Sequence, residues 1–434
     1  MRALGLLLGG LLAAHAACAA DELPRRGVLG LMLPPGPPDA AAVVHAVAPG
    51  SAAERAGLAP GQRLKSLNGI ATGSVAAFLE VAATLKAGAD VPVEVEHAGT
   101  TRRLHVQPMP APPEQGEAYR VEYGVVQGQG HRLRSLLTLP KQGKGPYPAL
   151  MIVQGLGCFS VDNEPAQQPM YRPLIEALSR QGFATFRVDK PGTGDSEGGP
   201  CSEVDYETEL AGYRAGLDAL LEERRIAPDQ VFVLGHSMGG IMMPSLIAGR
   251  NVAGAIVYGT GFKSFMHYHL DSIRRQLELE GQPLPMIEAK ARETELLASH
   301  LYVLDWTLAQ VREKFPQFAA EYPQGEALFS GKPVRYFQQI QRHQLPAEWA
   351  KLDTRVLALY GASDFVSFED DHRGVAAAVN RVTPGRAEFR VVPEADHWFR
   401  RAKDFAESRR QGPAGPYNDA VVSLIVDWVT AVAG

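Results

Sequence analysis

The sequence predicts an α/β protein. It expects a doubly wound, mostly parallel sheet with a helical insertion, preceded by a small, mainly β module. Three observations carry this. Short apolar runs without polar alternation recur after residue 118, with helical stretches between most of them, as strands buried on both faces of a parallel sheet require. The block 262–351 breaks that alternation with helix-forming sequence rich in long side chains. The stretch 107–117 is rich in Pro, Gln and Glu, lacks an apolar period, and reads as a linker between an early and a late module. Composition agrees: 434 residues, 45% apolar and 21% charged, supply a large core and too little charge for disorder. A net charge of -5 argues against nucleic-acid binding. Three Cys exclude a disulfide-dense scaffold and a four-Cys zinc site.

Residues 1–20 combine Arg2, an apolar run over 4–14 and a small-x-small site at Ala17, Cys18 and Ala19. This reads as a secretory signal peptide. An uncleaved anchor or a buried helix is the rival reading. Lipidation at Cys18 is another, but the usual lipoprotein pattern has Leu three residues earlier and His15 stands there. No later stretch reaches eighteen uninterrupted apolar residues, so no membrane span is expected. An exported, periplasmic or secreted protein follows.

The first module, 25–106, holds short strand-like runs at 28–33, 42–47, 64–67, 91–96 and 103–106. A helix is expected over 74–87, with Ser74 as N-cap, Val75, Phe78, Leu79, Ala82 and Leu85 in helical period, and Gly88 as stop. The string Pro49-Gly50-Ser51-Ala52-Ala53, then Ala56-Gly57-Leu58, Pro60-Gly61 and Asn68-Gly69, resembles the PDZ family in the form found in bacterial envelope proteases, with Gln62 in place of the usual Asp. That resemblance implies capture of a peptide C-terminus by strand addition. The capture loop would be Val28, Leu29, Gly30 and Leu31, beside the 74–87 helix, with Gly30 letting the backbone turn its N–H groups inward. The alternative is a module that only docks on its neighbour.

In the second module, 118–434, strands are expected at 149–153, 184–188, 231–234, 255–258, 356–360 and 389–392, with an antiparallel hairpin at 120–126 and 132–139. Helices are expected at 170–180, 204–223, 238–248 and 419–432. Alternation of this kind is the doubly wound pattern.

Gly235-His236-Ser237-Met238-Gly239 follows the 231–234 strand at once and opens a helix, the strand–turn–helix setting that G-x-S-x-G needs to lift a Ser hydroxyl above a sheet. Gly194-Asp195-Ser196-Glu197-Gly198 fits the same pattern, but no helix starts there and two carboxylates flank the Ser. It reads as a loop. A hydroxyl becomes a nucleophile only when a base takes its proton and an acid orients that base. Asp364 lies just past the 356–360 strand and His397 just past the 389–392 strand, on the edge where open α/β sheets collect active residues. His372 falls in a presumed helix, Asp396 adjoins His397, and His236 belongs to the turn itself, so they rank behind. His267 and His269 flank Tyr268, but no third ligand can be assigned and no metal is expected.

Together these motifs resemble the α/β-hydrolase superfamily, closest to capped serine esterases and acyl-aminopeptidases. The stretch Asp189-Lys190-Pro191-Gly192-Thr193-Gly194-Asp195-Ser196 matches that family's loop after the second parallel strand. The resemblance implies an oxyanion hole from the backbone N–H of Met238 and of Leu156, in Gln154-Gly155-Leu156-Gly157, where Gln154 replaces the family's usual His. It also implies that Cys158 and Cys201 fall in loops after neighbouring strands and could pair; two separate thiols are the alternative.

The expected activity is ester hydrolysis by Ser237, His397 and Asp364 through an acyl-enzyme, with no cofactor. The substrate would be a small-molecule ester or a peptide. A peptidase or amidase on the same residues would need an acidic clamp for a substrate amine, for which Glu278 and Glu280 are weak candidates. A non-catalytic peptide-binding adaptor is the third reading, opposed by the intact Ser, Asp and His. Phe262, Phe265, Tyr268, Trp306, Phe315 and Phe318 in the 262–351 block would form an apolar substrate pocket or that block's own core.

Overall fold

A computed structural model describes residues 23–34, 39–162, 170–318 and 331–434. The expected signal peptide and Cys18 lie outside the described residues.

The small module contains β1 (Gly27–Val28), β2 (Leu31–Met32), β3 (Ala46–Val47), β4 (Arg63–Leu67), β5 (Ile70–Ala71), β6 (Val91–His97) and β7 (Thr100–Val106). β5, β4, β6 and β7 form one antiparallel sheet, and β2 pairs with β3. Their inward side chains, including Leu64, Leu67, Val93 and Val95, bury against Phe78 and Val81 of the helix Val75–Ala83. Ser74 caps that helix by accepting from Ala77 N. The helix ends a turn before the expected Gly88. Leu85 O accepts from Gly27 N and Lys86 bridges Arg26, so the last turn is drawn out to pair with the chain start. The run expected as one strand at 28–33 is broken in two at Gly30. A short helix, Ala52–Arg55, was not anticipated.

The large module carries β9 (Tyr119–Gly128), β10 (His131–Pro140), β11 (Tyr147–Val153), β12 (Ala184–Val188), β13 (Ile226–His236), β14 (Gly254–Tyr258), β15 (Arg355–Gly361) and β16 (Ala387–Val392). Their order is β16-β15-β14-β13-β11-β12-β10-β9. β11 through β16 run parallel, while β10 is antiparallel to both β12 and β9. The period of two divides each central strand between two cores. Met151, Val233, Val257 and Ala358 face one, packed with Tyr213 and Leu217 of the helix Tyr206–Glu222 and with Val375 and Val379 of Glu369–Val382. Ile152, Leu234, Ile256 and Leu357 face the other, packed with Leu174 and Leu178 of Arg172–Arg180 and with Ile425 and Trp428 of Asp419–Ala433. Each buried Val, Leu, Ile or Met here contributes roughly 1.5–3 kcal/mol, which is why these runs show no polar alternation.

Between β14 and β15 lies the helical insertion, with helices Phe265–Leu279, Leu284–Ala298, Leu308–Lys314, Val334–Gln341 and Leu345–Trp349 among the described residues. Phe265 stacks on Phe337 at 4.9 Å.

The 107–117 stretch is no free spacer. Met109–Pro110 forms β8, paired with β1. Glu114 is buried, its carboxylate accepting from Arg187 Nη1 at 2.8 Å and from the Tyr119 hydroxyl at 2.7 Å. Arg187, wholly buried in β12, demands a counter-charge, and the segment supplies it as a docked strap. Arg25 completes the junction between modules, reaching Asp195 at 2.6 Å and Asp162 at 2.7 Å.

Candidate active site

β13 ends at His236 and the helix Met238–Ile247 begins two residues later. Ser237 between them has φ 54° and ψ −117°, a region costly to a side-chain-bearing residue and held here by the surrounding packing. The turn is tight enough that a Cβ on Gly239 would lie 2.3 Å from the Val153 carbonyl oxygen. Ser237 N donates to Tyr258 O at 2.8 Å, fixing the turn against β14. As first residue of its helix, Met238 has a backbone N–H with no intrahelical acceptor, at the positive end of the helix dipole.

Asp364 follows β15 and His397 follows β16. Ser237 Oγ donates to His397 Nε2 at 3.0 Å, and His397 Nδ1 donates to Asp364 Oδ2 at 2.9 Å. Asp364 is fully buried and accepts from Val366 N, Ser367 N and the Ser367 hydroxyl at 2.6–2.9 Å. Burial pushes its pKa up, but the His397 ring and these hydrogen bonds outweigh burial and hold the carboxyl below its ordinary range. The acid therefore stays ionised beside the imidazole. His236 lies 5.0 Å from the His397 ring, accepting from the Tyr171 hydroxyl at Nδ1 and donating from Nε2 to the His397 carbonyl. Burial, reinforced by the His397 ring, lowers its pKa to about 3, so it stays neutral and holds the backbone of His397 in place.

Two clefts meet at Ser237, His397, Leu156 and Trp398. One, of about 280 Å³, runs under the insertion and is lined by Met238, Ile241, Phe265, Tyr268 and Phe337 among others. The other, of about 660 Å³, opens past Phe159, Met170, Tyr171, Arg400 and Pro413. Phe265 and Tyr268 are thus pocket residues. Trp306 and Phe315 instead sandwich the His300 ring, and Phe262 packs at Gly374, inside the structure. The Phe318 side chain lies outside the description. Gly155 passes so close to Ser237 that a Cβ there would sit 2.9 Å from the Ser237 Cβ. Gln154 is fully buried and lines neither cleft. Cys158 and Cys201 are joined in a disulfide, with Cα atoms 5.8 Å apart. This ties the 154–158 loop to the loop after β12.

Of the other singled-out residues, His372 accepts from Thr260 N and donates to Phe368 O, and burial lowers its pKa to about 4. Asp396 accepts from Trp398 N and Arg400 N and turns away from His397 Nδ1. His267 meets Ser264, and His269 meets Tyr302 on the cleft wall. Among the described residues no cluster of three His, Cys, Asp or Glu could hold a metal. Glu280 is engaged by Arg409, and neither it nor Glu278 lines either cleft at Ser237. The second G-x-S-x-G is a docking loop, in which Asp195 receives Arg25, Arg134 and the Arg26 N–H. Val28, Leu29, Gly30 and Leu31 form a turn at φ +76° for Gly30, with Leu29 O held by Ala53 N and Gly30 O by Ala48 N. Met32 and Leu79 are exposed at 57% and 56% in this module.

The sequence reading missed Tyr171, Ser367, Arg25 and the buried set Lys190, Glu209 and Lys332. Ser367 was within reach, since Asp followed by N–H donors two and three residues on is a common turn. Lys190, two residues past the mostly apolar β12, carried a weaker signal.

Comparison with known proteins matches both modules to families. The family model described as "Serine aminopeptidase, S33" matches residues 167–400, and a PDZ domain model matches residues 43–96. Esterase EstD of Thermotoga maritima is 26% identical over 241 residues, 54% of this chain and 50% of that protein, so the chain spans about half the length of this relative. Among solved structures, ferulic-acid-bound Est1E from Butyrivibrio proteoclasticus aligns at 16% identity over 71% of this chain and 97% of that one, with a TM-score of 0.46. An esterase from Pyrococcus furiosus aligns at 12% identity over 74% and 97%, with a TM-score of 0.45. No helix among the described residues is long and apolar enough to cross a membrane. With its family match spanning more than half of the sequence, the chain belongs to the serine aminopeptidase S33 family of α/β-hydrolases, with a PDZ domain preceding that region.

Proposed function

We propose that this is an exported serine hydrolase that cleaves carboxylic esters through Ser237, His397 and Asp364. The observation that carries the reading is the unbroken line from Ser237 Oγ to His397 Nε2 at 3.0 Å and from His397 Nδ1 to Asp364 at 2.9 Å, at the junction of two clefts. Ser237 attacks the acyl carbon as His397 takes its proton, and Asp364 steadies the imidazolium. The backbone N–H groups of Met238 and Leu156 receive the developing oxyanion. His397 returns the proton to the leaving alcohol, and water then hydrolyses the acyl-enzyme by the same steps. The apolar cleft under the insertion suits an apolar or aromatic group on one side of the scissile bond.

Ester cleavage is favoured over aminopeptidase action because the described lining of both clefts holds no carboxylate to receive a substrate ammonium. The 1–20 leader pattern and the Cys158–Cys201 bond support export, since disulfides persist in oxidising compartments. The PDZ domain is proposed to take a peptide C-terminus at Val28, Leu29, Gly30 and Leu31.

The test is turnover of activated esters and of matched peptide amides by wild type and Ser237→Ala, with fluorophosphonate labelling. Ester turnover lost in the variant, and an adduct at Ser237 in wild type, are expected. Full activity of Ser237→Ala refutes the mechanism, and amide turnover exceeding ester turnover refutes the substrate class.

A further inference from the structure

The mechanism above leaves a wholly buried charged cluster unused. Lys190, two residues past the end of β12, donates to Gly155 O at 2.6 Å and pairs with Glu209 Oε1 at 2.7 Å. Glu209, on the helix Tyr206–Glu222, also receives Lys332 at 3.1 Å and the Tyr336 hydroxyl at 3.3 Å. Lys332 and Tyr336 belong to the insertion, and Lys332 further donates to the Cys201 carbonyl at 2.9 Å. All three charged side chains are 0% exposed. Two ammonium groups and one carboxylate withdrawn from water are costly to keep, so their placement calls for a reason beyond stability.

The reason lies in the one backbone group that Lys190 holds. A trans peptide points its C=O and the following N–H in opposite directions. Gripping Gly155 O therefore fixes the direction of the Leu156 N–H, and Gly155 lies against Ser237. The Cys158–Cys201 bond tethers the same loop three residues on, and Lys332 holds the Cys201 end.

We propose that Lys190 is a positioning residue for the oxyanion site: its grip on the Gly155 carbonyl aims the Leu156 N–H at the reacting carbonyl oxygen, and Glu209 links that grip to the insertion through Lys332 and Tyr336. This rests on the Ser237 reading above. An oxyanion donor aimed in advance acts on the transition state far more than on the bound ester.

The experiment compares wild type, Lys190→Met and Lys190→Leu for kcat and KM on an activated ester. It adds affinity for a trifluoromethyl ketone, which forms the tetrahedral adduct, and fluorophosphonate labelling of Ser237. Lys190→Met leaves Glu209 paired with Lys332, so the core keeps a balanced ion pair, and Lys190→Leu, which likewise has no donor for Gly155 O, tests the same loss should the Met variant not fold. Thermal melts identify the folded variants. The expected result is a kcat about 10- to 100-fold lower, a KM within about 3-fold, and a loss of ketone affinity matching the loss in kcat. A folded variant with wild-type kcat and ketone affinity overturns the proposal, as does a loss confined to KM. Failure of the underlying reading is separable, because it appears as wild-type enzyme that the fluorophosphonate does not label at Ser237.

Discussion

Protonation of His236 should limit acid stability. Its ring is fully enclosed, with Tyr171 donating to Nδ1 at 2.9 Å and His397 O receiving Nε2–H at 2.8 Å. Burial holds its folded pKa at about 3, against an ordinary value of 6.5. Below pH 6.5 the unfolded chain takes up a proton that the folded chain refuses, so stability falls as pH falls and keeps falling to about pH 3. Each pH unit inside that window is worth about 1.4 kcal/mol. From pH 7 to 4.5 the loss is therefore about 2.5 kcal/mol from this ring alone. His269 and His372, each lowered to about 4 by burial, act in the same direction. Asp189 and Asp371, raised by burial to about 6, oppose them, because the folded state protonates first as pH drops from about 6 towards 3.8. The whole-protein slope is a difference of these effects, so the comparison must be with a variant. Urea denaturation of wild type and His236→Gln at pH 7 and 4.5 makes it. The variant is expected to be weaker at neutral pH yet to lose about 2.5 kcal/mol less on acidification. Equal losses in the two proteins would falsify the claim that the ring is held neutral.

Three other perturbations probe separate parts of the molecule. Asp364→Asn should keep the fold and lower kcat by about 10³- to 10⁴-fold, because the orienting carboxylate is lost; kinetics on an activated ester read it. Glu114→Ala strands the Arg187 guanidinium and should cost about 3–5 kcal/mol, whereas Glu114→Leu with Arg187→Met should recover most of it in denaturant melts. Cys158→Ser with Cys201→Ser should lower stability by about 2–4 kcal/mol, and dithiothreitol should shift the melting temperature of wild type but not of the double variant.

The strands could be read from sequence because burial on both faces removes every polar residue from runs such as 149–153. The Gly235–Gly239 turn was legible because its glycines and its strand–helix junction are local. Asp364 and His397 were legible by position alone, each lying one short loop beyond an apolar strand. What escaped is long-range and polar. A charged residue inside an apolar strand, Arg187 in β12, signals that some distant carboxylate must be buried with it, but nothing local says that Glu114 is that partner. The same logic hides Glu209, whose partners Lys190 and Lys332 come from separate parts of the chain. Composition misled at 107–117 because polar residues look solvated until their buried partners are known.

The strap has a practical consequence for anyone dividing this chain. Truncation at residue 118, where the large module begins by composition, would remove Glu114 from Arg187 and leave a cation sealed in the sheet. Loss of activity in such a fragment would report a damaged scaffold and say nothing of what the amino-terminal part contributes. Excision should stop before 111, so that the anchoring carboxylate stays with the half it serves; in the same fragment Asp162, deprived of Arg25, should be neutralised as Asn, while Asp195 keeps Arg134 as its partner.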